Sequence, residues 1–234
     1  RDPEMSRGLG DVYKRQVFML VKVLVNGIGY TTAQAESIMS VVSTWGLKIN
    51  MIIVSISTGL MVSLIPNLTA SFVKNDMDDV RRKINQTLQW LLFFTIPMTL
   101  GLSLLAEPVW NIFYGASEFG PSVYQYYVFV ALATTLFTAS VTILQLLKEY
   151  KHVFFGLVLG LVTNACLNIP LVYGFHNMGL PAYYGSITST ILGYLACAFV
   201  SLRYIGKKYK VNYEDTLKKV FNMILIGLVM VIVL

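Results

Sequence analysis

Long apolar runs alternate with short polar breaks along almost the whole chain. Residues 38–65 form the longest run, 28 residues holding one ionisable group, Lys48. Further runs cover residues 86–106, 123–147, 153–173 and 182–204. About 20 helical residues cross the hydrocarbon core of a bilayer, so each run predicts a transmembrane helix. Two flanking pieces are too short to span. Residues 17–29, which contain Lys22, read as the surviving end of a truncated helix, and residues 220–234 as the start of a further one.

The breaks carry their own signals. Thr31 or Thr32 is placed to cap the helix after the polar turn at 30–36. Pro66 is expected to end the long run. Residues 70–83 set Phe72, Val73, Met77 and Val80 against seven charged residues, which predicts a short interfacial helix or a hinge on the membrane surface. Pro97 sits inside the third run, where membrane helices tolerate a kink. Between successive spans the counts of Lys and Arg run four, none, two, none, six. The positive-inside rule then puts the rich loops in the cytoplasm and the Glu118 loop outside.

Composition fits this picture. Charged residues make up 13% of the chain, against about a quarter in soluble domains. The net charge of +6 follows from basic cytoplasmic loops and implies no nucleic-acid partner. Cys166 and Cys197 both fall inside predicted spans and read as buried thiols, not a disulfide framework. Residues 1–16 are polar, carry seven charges and stop abruptly at an apolar run. They read as a non-native scar, set aside from the fold, with an upstream part of the protein expected beyond them.

Candidate chemistry is sparse. No Cys-x-x-Cys, His-Glu-x-x-His, P-loop or Gly-x-Ser-x-Gly motif occurs, and His152 and His176 are predicted on opposite sides of the membrane, so the chain does not read as an enzyme. Lys48 lies about ten residues, or roughly 15 Å of helix, from the outer end of its run. On a helical wheel it shares a face with Ser37, Thr44, Ser55 and Thr58. An ammonium there suits an anionic substrate in a water-filled cavity, or else pairs with an acid elsewhere in the protein. Lys22 is a second, weaker candidate. Asn164 and Asn168 are one turn apart, and their carbonyls can coordinate a hard cation together with Thr188 or Thr190. The competing reading is interhelical hydrogen bonding, which polar side chains in membranes commonly provide. Gln145 is expected at a helix end, as a packing or mouth residue. Trp110, Tyr124, Tyr126, Tyr127 and Tyr204 are expected in the interfacial aromatic belt.

Several stretches together resemble one family. LIPNLTASFVKNDMDDVRRKINQTL, then IPMTLGLSLLAEPVWNIFYG, looks like the midpoint of bacterial polysaccharide transporters. VLVNGIGYTTAQAESI, ILQLLKEYK and NIPLVYGF…MGLPAYYGSITSTILGY keep the family's order. The chain is most similar to the sporulation protein B-like and lipid II flippase (MurJ-like) branch of the multidrug/oligosaccharidyl-lipid/polysaccharide exporter superfamily. The resemblance implies an all-α, two-lobed transporter. Residues 17–205 would be its second six-helix lobe, 206–219 a basic cytoplasmic segment and 220–234 part of a further helix, with the N-terminal lobe missing. It implies a lipid-linked, undecaprenyl-pyrophosphate sugar cargo flipped across the cytoplasmic membrane. Where the second lobe usually carries a cavity arginine, this sequence has Leu47 and then Lys48. The resemblance also implies a sodium site, using an acid on the seventh helix and a pair on the eleventh. The pair matches Asn164 and Asn168, with an amide in place of its usual acid, and the seventh-helix acid would fall where residues 1–16 begin. No other cofactor is expected. A multidrug exporter of the same superfamily is the alternative, although intramembrane lysines disfavour a cationic drug. A membrane scaffold or envelope-synthesis enzyme is the third reading.

Overall fold

The computed structural model describes residues 21–233, so the readings for residues 1–16 and for the first residues of the run at 17–29 lie outside the described part. The described residues form helices joined by short turns, with no strand among them. A π-helical segment, Val23–Ile28, is followed by α1 (Thr32–Val73), α2 (Met77–Leu104), α3 (Ala106–Tyr114), α4 (Gly120–Leu146), α5 (Tyr150–Asn177), α6 (Tyr183–Tyr209) and α7 (Glu214–Val233). Five of these, α1, α2, α4, α5 and α6, are long and apolar enough to cross a membrane. The all-α, multi-pass bundle read from the hydropathy pattern is what the structure contains.

Helix α1 starts at a capping box. The Thr31 hydroxyl accepts from the backbone of Gln34, whose side chain accepts from the Thr31 N–H in return. Its second section, Val41–Trp45, is π-helical. Pro66 does not end it; the helix runs through to Val73. A proline removes one N–H donor only, so Val62 alone loses its partner four residues on, and a membrane helix tolerates that. Thr69 donates to the Ile65 carbonyl at 2.9 Å, and Lys83 Nζ donates to that of Asn67 at 3.0 Å.

Of the two readings of 70–83, the structure has a hinge between two long helices and no separate interfacial helix. Asn75 adopts a left-handed backbone (φ 57°), and the Asp76 side chain caps the first turn of α2 by accepting from Asp79 N–H at 3.0 Å. Lys83 then closes the hairpin, 2.6 Å from both Ser71 Oγ and Asp79 Oδ2. An amphipathic pattern interrupted by Asn-Asp is therefore a helix end, a tight turn and a new helix start. Residues 206–219 are likewise shared between the end of α6, a short elbow and the start of α7.

The charged turns gather at one end of the bundle. Arg81 Nε donates to the Tyr209 carbonyl at 2.7 Å, and Asn85 donates to that of Asn212 at 2.9 Å. Glu149, between α4 and α5, accepts from Tyr204 and Tyr209 hydroxyls at 2.8 and 2.9 Å and is ion-paired with Lys208. Burial pushes the Glu149 carboxyl up, but the Lys208, Tyr204 and Tyr209 donors outweigh it and hold its pKa at about 2.

The opposite end is aromatic. Tyr124 is fully buried, and Tyr127 and Trp110 are nearly so, packed with Ile38, Ile49, Ile53 and Tyr183. Three of the five residues expected in an interfacial belt are thus core. They belong there because α3 folds back on α4 and traps their rings between α1 and α2.

Helices α5 and α6 form the tightest pair. A Cβ on Gly160 would stand 2.8 Å from the Gly193 carbonyl oxygen, and one on Gly193 would stand 2.9 Å from that of Gly160. A Cβ on Gly185 would meet the Leu171–Val172 backbone at 2.4 Å. Glycine at the crossing lets the two backbones touch.

Candidate functional site

The candidate residues of α1 lie on a side of the helix that nothing in the described chain covers. Thr44, Lys48 and Ser55 are exposed, along with Leu47, Met51, Ile52 and Ile56. The opposite side, Ile49, Asn50, Ile53, Ser57 and Met61, is buried against α2 and α4. One stripe of α1 holds the lobe together and the other is left open.

Lys48 has no carboxylate partner among the described residues. Its ammonium lies 5.6 Å from the centroid of the Trp45 ring. That ring meets Tyr114 edge-on at 4.6 Å, and the Tyr114 hydroxyl donates to the Trp45 carbonyl at 3.0 Å. The hairpin arms Gly46–Val73 and Met77–Leu104 are 28 residues each, which sets Gly46 level with Leu104 and Lys48 about half a turn further in. The first turns of α1 pack Ile38 and Val41 among the aromatic residues.

Lys22 is exposed on the segment leading into Val23–Ile28, which packs on Val172 and Ala182 of the α5–α6 pair. Gln145 is exposed at the charged end of α4.

Asn164 and Asn168 are drawn into the α5–α6 seam. Their amides donate to Thr190 Oγ1 at 3.3 Å and Ser186 Oγ at 3.4 Å. Thr188 is not with them. It lies two residues from each of those hydroxyls, hence about 200° round the helix, and its hydroxyl bonds Tyr126 of α4 at 2.8 Å. Asn164, Asn168 and Thr188 therefore do not form one ligand set, and the bonds present are interhelical. Of the two cysteines, Cys197 is buried in that seam, but Cys166 is on the outer face of α5.

Two hollows adjoin these helices. The smaller, 110 Å³, lies between α1 and α4 and is edged by five hydroxyls: Ser57, Thr58, Thr135, Thr138 and Thr142. Ser57 is 3.4 Å from Thr135 across it. The wheel drawn for α1 alone picked out Thr58. It missed the α4 threonines, although their spacing of three and four residues marks one helix face. The larger, 610 Å³, is an apolar cleft between α2, α4, α6 and α7, lined by Leu92, Ile96, Phe129, Leu136 and Phe199, with Arg203 at its margin.

This bundle has the helix order and charged midpoint turn that the motifs led one to expect, and the comparisons agree. A family model for the lipid II flippase MurJ matches residues 5–234. The chain belongs to the lipid II flippase family. A curated relative, lipid II flippase MurJ of Bacillus subtilis (strain 168), is 31% identical over 202 residues, 85% of this chain and 36% of the relative. The chain thus spans about a third of that flippase's length. No solved structure matches it. As a member of this family the chain is a multi-pass membrane protein, consistent with its five candidate spans.

Proposed function

We propose that this chain supplies one lobe of a flippase for a lipid-linked, undecaprenyl-pyrophosphate-bearing sugar precursor, either peptidoglycan lipid II or a related polysaccharide unit. The cargo crosses from the inner to the outer leaflet as two lobes rock about a shared path. Alternating access of this kind needs both lobes, so the partner is an N-terminal lobe of the same protein. The observation that carries the reading is the open stripe of α1, where Lys48 has no carboxylate beside it and stands with Thr44 and Ser55. A cation in that setting suits the pyrophosphate. The apolar cleft has the lining a hydrocarbon chain requires, which fits cargo carried on a lipid.

The test is lipid flipping by the full-length protein in vesicles. A charge-assisted contact contributes about 1.5–3 kcal/mol, so Lys48→Ala is expected to slow flipping roughly tenfold to a hundredfold. Lys48→Arg keeps most of the rate. Equal rates for wild type and Lys48→Ala at matched protein levels would remove Lys48 from the path.

A further inference from the structure

The groove between α1 and α4 has a property that packing does not explain. The α4 wall consists of threonine alone, Thr135, Thr138 and Thr142. Threonine in a membrane helix ordinarily donates its hydroxyl to the carbonyl four residues back. Thr58, Thr134 and Thr135 do so, at 2.8, 2.8 and 2.9 Å. Thr138 and Thr142 make no hydrogen bond among the described residues, and both side chains edge the groove. Thr138 lies eight residues, roughly 12 Å, from the end of α4 at Leu146, inside a candidate span. An unbonded hydroxyl facing lipid tails there is unfavourable, and valine would fill the same volume without one. The face is built to meet something that hydrogen-bonds.

No charged residue lines the groove, so it has no counter-charge for a phosphate. Lys48 is ten residues away from Thr58, roughly 15 Å along α1. The remaining wall is hydrocarbon, from Val54, Met61, Val62 and Ile65. Free neutral hydroxyls over an apolar floor match the two sides of a sugar ring, its hydroxyl edge and its C–H face. A water-sized group needs about 10–15 Å³, so the 110 Å³ hollow admits an edge of a sugar, not a whole disaccharide.

We propose that Thr138 and Thr142, with Thr58 opposite, form a saccharide-contacting subsite, separate from the charged contact at Lys48. This rests on the lipid-linked sugar reading above. The competing occupant is a helix of the partner lobe, packed against the same face.

The experiment compares two probes on the full-length protein in nanodiscs: a polyprenyl pyrophosphate bearing a disaccharide, and the same pyrophosphate without sugar. Thr138→Val with Thr142→Val is expected to weaken binding of the sugar-bearing probe about tenfold, while the sugar-free probe binds as before. Thr138→Ser with Thr142→Ser keeps both hydroxyls and is expected to bind both probes like the wild type. The proposal is overturned if the valine pair binds the sugar-bearing probe normally. It is equally overturned if that pair loses both probes together, or if the serine pair loses the sugar-bearing one, since each result marks a packing role. Wild-type protein that binds neither probe sinks the lipid-linked reading itself, and this subsite with it.

Discussion

The α5–α6 seam and the α1–α4 face are made from the same kinds of residue and end in opposite states. In the seam, Asn164 and Asn168 meet Thr190 and Ser186, and two glycines bring the backbones into contact. On the α1–α4 face, Thr138 and Thr142 bond nothing in the described chain, and Gly59 has open space where a Cβ would go. Polar residues in a membrane helix thus mean either adhesion or a path, and only their partners tell which.

The seam should fail first when filled. Gly193→Val sets a methyl-bearing carbon against the Gly160 carbonyl, and overpacking of that kind costs about 1–3 kcal/mol or more. Folded yield and melting temperature in detergent should both drop. Gly59→Ala, on the open face, should instead leave the melting temperature unchanged or slightly raised, because only helix propensity changes. Equal losses at the two positions would erase the contrast.

Removing one seam bond is a smaller perturbation. Asn164→Ala should lower stability by about 0.6–1.7 kcal/mol, the range for interhelical bonds in membranes. Melting curves with and without sodium sharpen this. Bonds that only join helices give the same loss in both salts, whereas a sodium-dependent difference confined to the wild type would restore a cation role for the pair.

The smallest effect concerns the foot of the seam at Glu149. Its folded pKa, about 2, lies below the ordinary 4.5, so its contribution is complete above about pH 4.5 and is lost as the pH falls towards 2. Wild type should therefore lose melting temperature across that window, and Glu149→Gln should lose less. Parallel acid profiles would show that the Lys208 and tyrosine contacts are not holding the carboxylate.

Much of this was legible in the sequence because membrane helices announce themselves by length and hydropathy. All five spans were readable, and the turn at Asn75-Asp76 falls within the break expected there. What hydropathy does not encode is whether a proline ends a helix or is carried within it, which is why Pro66 misleads. The α4 threonines went unnoticed because threonine is ordinary in such helices. Their significance lies in bonds they do not make, which appear only once partners are placed. Of the two hydroxyls weighed for the asparagines, Thr190 is the one Asn164 meets, and a helical rotation of about 200° turns Thr188 away towards Tyr126.

The ties at the charged end have a mechanical consequence. Arg81, Asn85 and Glu149 bind the ends of α2, α5, α6 and α7 to one another through hydrogen bonds and an ion pair. At the aromatic end α1 is held chiefly by apolar packing and ring contacts, with the Tyr114 hydroxyl on the Trp45 carbonyl and the Asn50 amide on the Tyr127 carbonyl. The lobe is therefore gripped by polar ties at one end and by apolar contact at the other.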